Sequence, residues 1–265
     1  MPAPDLISVS TLARLIGGPD SPYVVDVREQ PGTHRIPAAT RRMPAAGDRR
    51  AVLVDDRGGA AAHAAAARLR HDGIAAEVLE GGQGAWETAG LPLVPEDALV
   101  RDAEDRTLWV TRSRPKVDRI ACPWLIRRFV DPNAVILFVP PGEVQAVAAQ
   151  TGAAPFDIAA EGVRWTHRGE LCTFDALVEG LGLGSIAPLA LLAPIVRGAD
   201  TARPDLAPEA AGLLAVSLGL SRLHADDHRQ LEAGMAVYDA LYRWARDAQD
   251  EKHDWTSHQP RGARA

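Results

Sequence analysis

Two cysteines, Cys122 and Cys172, are the thiols of this chain, and each stands among residues that could put it to work. Cys122 follows a cationic run, Arg112, Arg114, Lys116 and Arg119, in W-V-T-R-S-R-P-K-V-D-R-I-A-C-P-W-L-I-R-R-F-V-D, residues 109–131. Pro123 suits the first position of a helix, where its missing N–H is not needed, so Cys122 is expected as the cap. Free N–H groups and the positive end of the helix dipole would then lower the pKa of the thiol. The same place would seat an oxyanion, with Lys116, Arg119 and Arg127 as its cationic ligands. The plain alternative is a cysteine packed inward as a small hydrophobe beside a solvated basic strand edge.

The second cysteine closes E-G-V-R-W-T-H-R-G-E-L-C-T-F-D, residues 161–175, where His167, Arg168, Glu170, Cys172 and Asp175 fall close together. In an extended chain His167 would face away from Glu170 and Cys172, an objection that a turn at Gly169 would relax. Cysteine with histidine suits zinc or iron, although this spacing is no familiar zinc pattern. Further on, His228 and Glu232 stand four apart on an expected helix and share its face with Asp239. His167, Glu170, His228 and Glu232 therefore form the candidate metal set for a divalent transition metal, Zn or Fe. Otherwise they decorate a hairpin and a helix edge facing water.

The elements that must position these residues divide in two. Alternating short apolar runs and helical segments occupy the front: strand then helix over 6–16 with Ser8 or Ser10 as cap, then strands at 23–29 and 51–56. An alanine-rich helix runs to Arg70, and another strand follows at 76–79. That alternation predicts an α/β fold with a parallel sheet and flanking helices over residues 1–95. Residues 96–107 are charged and aperiodic and read as a linker. Residues 108–246 predict a mixed, mainly α-helical α+β unit: a helix at 123–129, a strand at 135–141, helices at 143–150, 174–181 and 187–197. After a polar loop at 197–204 come a core helix at 208–218 and a long amphipathic helix, capped by Asp226 or Asp227, to Asp247. Residues 247–265 form a polar tail, in which His253 and His258 are taken as incidental.

Composition narrows the function. At 265 residues the chain can hold one or two domains around a sizeable core. A net charge of −6 argues against nucleic acid or an anionic membrane as a general partner, so any basic site must be local. Two cysteines make no disulfide framework, and the first residues lack a basic segment followed by an apolar one, so a cytoplasmic protein is expected. The most apolar stretch, residues 186–196, is too short to cross a bilayer. A homo-oligomer stays open.

Two resemblances follow from particular motifs. D-V-R-E at 26–29, R-I-P-A-A at 35–39 and L-E-G-G-Q-G-A-W-E-T-A-G-L-P-L at 79–93 resemble a rhodanese domain over about residues 6–95. That family carries persulfide on a loop cysteine; here the loop, residues 54–62, holds Asp55, Asp56 and Arg57 and no cysteine. A carboxylate cannot carry sulfane sulfur and would repel thiosulfate. The resemblance thus implies a non-catalytic structural or partner-binding module, with sulfurtransfer the least favoured function. The second resemblance rests on residues 115–131, on H-R-G-E-L-C-T-F-D at 167–175, and on I-V-R-G-A-D-T at 195–201 with D-L-A-P-E-A-A-G-L at 205–213. Over about residues 108–246 the chain resembles the C-terminal domain of the ChrB-type chromate-resistance proteins. The resemblance implies a chromate-resistance or chromate-response protein that binds a chromate- or sulfate-like oxyanion in this unit. The alternative is a metal- or thiol-dependent redox enzyme with Cys122 and Cys172 as catalytic thiols.

Overall fold

The computed structural model describes residues 5–30, 32–45, 47 and 49–252. The tail histidines His253 and His258 lie outside the described residues.

The front half is built on short strands, and a strand covered on both faces must be largely apolar. β1 (Leu6–Ile7), β2 (Tyr23–Asp26), β4 (Ala51–Val54) and β5 (Ala76–Leu79) form a parallel sheet in the order β1-β5-β4-β2. β2 and β4 are buried at every residue. β3 (His34–Arg35) pairs antiparallel with β6 (Val94–Pro95). The sheet is flanked by α1 (Val9–Leu15), capped by the Ser8 hydroxyl as expected, by α2 (Ala60–His71) and by α3 (Gly82–Thr88).

The rear half centres on β7 (Leu108–Arg112), which pairs in parallel with β8 (Val135–Val139) and β9 (Ala154–Pro155). Around this sheet lie α4 (Asp118–Phe129), α5 (Val144–Thr151), α6 (Thr173–Gly180), α7 (Ala187–Asp200), α8 (Ala210–Leu223) and α9 (Asp227–Asp247). Asp226 caps α9, whose Leu231, Met235, Tyr238, Tyr242 and Ala245 are buried, as the amphipathic pattern predicts. Among the described residues no helix is long and apolar enough to cross a membrane.

Four local expectations are corrected. α4 starts at Asp118, so Cys122 lies in its second turn and Pro123 in its interior. The helix can start early because Val117, held at φ 33°, is clamped from two sides: its N–H donates to Ser217 Oγ and its carbonyl accepts from the Tyr238 hydroxyl. α7 runs through Pro194 and on to Asp200 rather than yielding to a loop at Arg197. Gly198 allows this, because a Cβ there would stand 2.7 Å from the Arg203 carbonyl and 2.9 Å from Ala210 Cβ. α8 is peripheral: it buries Ala210, Leu213, Ser217 and Ser221 and leaves Val216, Leu218 and Leu223 exposed. The expected linker is ordered, with a short 3-10 turn at Glu96–Ala98, Glu96 paired to buried Arg35, and Asp102 held by Arg106.

One apolar core runs through both halves, from Ile7 and Leu12 through Trp86 to Trp124, Phe129 and Tyr242. At the seam Phe129 packs on Gly17, where a Cβ would approach its ring to 2.3 Å. Hydrogen bonds cross it as well: Ala38 N to Phe129 O at 2.7 Å, and Asn133 Nδ2 to the Tyr23 hydroxyl at 2.8 Å.

Candidate metal centre

Three element ends and one loop converge near the end of β7. Asp118 opens α4, Asp157 follows β9 with φ 53°, His167 precedes the turn at Gly169, and Asp200 ends α7. His167 Nε2 lies 3.2 Å from Asp200 Oδ2, 3.5 Å from Asp157 Oδ1 and 3.6 Å from Asp118 Oδ2. One donor atom each from Asp118, Asp157 and His167 lies within 4.8 Å of the others, the one cluster of that kind among the described residues.

Each carboxylate is held from outside the cluster. Asp118 Oδ2 accepts the backbone N–H of Thr173 at 2.6 Å and of Phe174 at 3.4 Å, so it caps the orphan donors of α6 from another helix. Its Oδ1 is buried and accepts no hydrogen bond. Asp157 Oδ1 accepts the Thr173 hydroxyl at 3.0 Å, while Oδ2 faces Arg112 Nη2 at 2.9 Å and Arg119 Nε at 3.2 Å. Asp200 Oδ1 accepts the Asp118 N–H at 3.4 Å. His167, with 41% of its side chain exposed, stands at the mouth.

Crowding like charges into a buried space drives the titration. Burial, then the charges of Asp200 and Asp157, pushes Asp118 well above the carboxylate range. Asp200 also rises, by burial first and then by Asp157. Asp157 stays low despite burial, because His167 and Arg112 hydrogen-bond its charged form. The hydrogen bond to Asp157 raises His167. Metal-free, the cluster therefore retains protons that a cation could replace. Carboxylate oxygens with one imidazole suit Zn, Fe or Mn rather than a soft copper site.

Residues 109–245 match the family model described as ChrB, C-terminal domain. The chain belongs to that family. All four members of the cluster fall inside the matched ChrB-type region. Protein ChrB of Cupriavidus metallidurans is 37% identical over 135 residues, 51% of this chain and 39% of that protein. The chain thus spans well under half of that relative. No solved structure matches it.

The residues singled out in the sequence fare unevenly in the ChrB-type fold. Only His167 of the expected metal set reaches the cluster. Glu170 turns outward to Arg203 at 3.3 Å, His228 lies against the Phe138 ring, and Glu232 pairs with Arg127 at 2.5 Å. Of the expected oxyanion ligands, Arg119 is committed to Asp157 and to the Ser113 carbonyl, while Lys116 is exposed. Arg127 lies eight residues along α4 from Arg119, roughly 12 Å at 1.5 Å per residue, and pairs with Glu232 rather than at the cluster. Asp118, Asp157 and Asp200 were not singled out as ligands.

The thiols are corrected most sharply. Cys122 is fully buried, and burial, then the Asp118 charge, pushes its pKa well up rather than down. Cys172 caps α6, donates its N–H to Asp175 Oδ2 at 2.9 Å and is pushed up by burial and then by Asp118. Neither is poised as a thiolate nucleophile. Ellman's reagent is expected to find no reactive thiol in the native protein and both in denaturant; a fast-reacting native thiol would contradict this placement.

In the front half, the Asp55 carboxylate accepts the N–H groups of Arg57 at 3.0 Å, Gly59 at 2.9 Å and Ala62 at 3.1 Å. The loop donors that could cradle an anion are already filled by a side chain of the loop itself. Asp56 and Arg57 are exposed.

Proposed function

We propose that this chain serves chromate resistance as a cytoplasmic protein whose ChrB-type unit holds a divalent transition metal on Asp118, Asp157 and His167, with Asp200 as a fourth donor or proton acceptor. The observation that carries this is Asp118 Oδ1, a buried carboxylate oxygen without a hydrogen-bond partner beside an imidazole and two further carboxylates. Such an atom costs stability unless something pairs with it. Arg112 and Arg119, the guanidiniums at the cluster, are already paired with Asp157. A bound cation would add positive charge that no side chain has taken up, so an oxyanion would reach this place as a ligand of the metal, beside Arg119. The metal would supply Lewis-acid or redox chemistry, and a metal-dependent redox enzyme is favoured over a thiol-dependent one because both thiols are buried and protonated. The front half fits a rhodanese-like scaffold without sulfur transfer, since Asp55 fills its own loop.

Elemental analysis of purified protein tests the proposal. Near-stoichiometric Zn, Fe or Mn, lost in His167→Ala, is expected; a protein that takes up none of them from added salts overturns it.

Affinity for the metal is expected to climb as pH rises through the raised pKa of His167, because binding must displace the protons held by His167, Asp118 and Asp200. Stability of the metal-free protein should run the other way. The raised His167 contributes fully below its unfolded value near 6.5, and that contribution fades as pH rises through its folded pKa. Urea midpoints at several pH values, with and without metal, check both signs.

A further inference from the structure

A second cavity lies at the seam between the halves, far along α9 from its cap. It holds about 340 Å³ between the end of α1 with the turn after it and the last turns of α9. Leu15, Ala240 and buried Tyr242 are among its lining, which also carries Arg14 from the front half with Arg243 and Arg246 from the rear.

The charge there runs against the rest of the molecule. In a chain of net charge −6, three guanidiniums share one carboxylate: Asp247 lies 2.7 Å from Arg243, 3.0 Å from Arg246 and 3.7 Å from Arg14. Asp239 on the wall is already matched by Arg128, in a two-pronged pair at 2.8 Å, and by the Trp124 ring N–H. Asp20 is the remaining acid of the lining, so three guanidiniums stand against at most two carboxylates, Asp247 and Asp20. Guanidiniums therefore remain in excess.

Their exposure is graded. Arg246 is the most enclosed, donating to the Arg14 carbonyl at 2.8 Å and to Asp247, with its guanidinium 5.7 Å from the Tyr242 ring centroid. Arg14 and Arg243 reach Asp247 from the front and rear halves with 77% and 67% of their side chains exposed. Asp247 is held in its charged form by Arg246, Arg243 and Arg14 against the effect of burial. The rim thus gathers cations around an oxyanion, and a dianion carries more charge than the single carboxylate to engage the two exposed forks.

We propose that this seam cavity binds a tetrahedral dianion, free or as the phosphate of a small ester, clamped between Arg14 of the front half and Arg243 and Arg246 of α9. A free dianion leaves room to spare in the cavity, whose volume lies at the lower end of the roughly 300–1,000 Å³ typical of small-molecule sites. Phosphate, sulfate and chromate share this chemistry, and the site requires no metal. It also requires both halves, since Arg14 lies outside the ChrB-type region.

The test uses full-length His167→Ala protein stripped of metal, so that failure of the metal site cannot mimic failure here. Calorimetric titrations with inorganic phosphate, sulfate, chromate and adenosine monophosphate separate free ion from ester. Binding of at least one is expected, weakening with salt. Arg14→Ala with Arg243→Ala should reduce affinity at least about tenfold, the loss of roughly one charge-assisted contact. Both side chains are largely exposed, so the variant should keep the parent's melting temperature without ligand. No heat with any of the four, or an unchanged Kd in the double variant, overturns the proposal.

Discussion

Asp118→Asn is expected to reduce affinity for the metal at least about 100-fold while leaving the protein folded, a larger loss than the 10- to 100-fold usual for residues that merely support a ligand. Asparagine keeps an oxygen for the Thr173 and Phe174 N–H groups, which Asp118 now caps at 2.6 and 3.4 Å. It removes a negative charge that burial and two neighbouring carboxylates already oppose, so the metal-free variant should be no less stable than the parent. Asp118→Ala makes the contrast. It leaves the buried N–H of Thr173 unpaired, at a cost of about 1–3 kcal/mol, and loses the metal as well. Metal content and urea denaturation of the two variants read these effects separately. Full metal occupancy in Asp118→Asn would remove this residue from the donor set.

Gly82→Ala is expected to be the most damaging of the small substitutions, costing at least about 3 kcal/mol, in the range reserved for a named structural fault. Gly82 has φ 57°, and a Cβ there would lie 2.3 Å from the Asp55 carbonyl oxygen, 2.6 Å from Gly58 N and 2.7 Å from Arg57 N. All three are backbone atoms of the loop that Asp55 organises, so no side chain can swing aside. Gly90→Ala is the control: its φ of 65° is equally unfavourable for alanine, but nothing lies within 4 Å, and about 1–2 kcal/mol covers the backbone strain. Equal melting temperatures for the two variants would show that the loop yields more readily than its packing implies.

The front sheet was legible because β2 and β4 are compact, mainly apolar runs ending in charge, and because Ser8 and Asp226 announce helix starts by their own side chains. The start of α4 was not, because proline at a first helical position and proline inside a helix look alike in one dimension. The difference lies in Ser217 and Tyr238, a hundred and more residues away, which hold Val117 in its unusual conformation. The cluster was half legible. His167 stood out by residue type, whereas Asp118, Asp157 and Asp200 are single acids in unrelated segments, brought together only by where α4, β9 and α7 end. The motifs 115–131, 167–175 and 195–201 each hold one member, and considering their charged residues jointly would have suggested three of the four.

The packing of Phe129 against Gly17 makes α4 a rigid strut. Its last residue is wedged into the front half and its first residue is Asp118, about 16.5 Å away at 1.5 Å per residue. A push at the wedge cannot be absorbed along the rod, because eight of the residues behind Asp118, Ile120 to Ile126 and Phe129, are buried. Enlarging Gly17 should therefore displace the donor at the far end and detune the centre without touching it. The module in front would then set the bite of the ligands behind, much as a tuning screw sets a jaw.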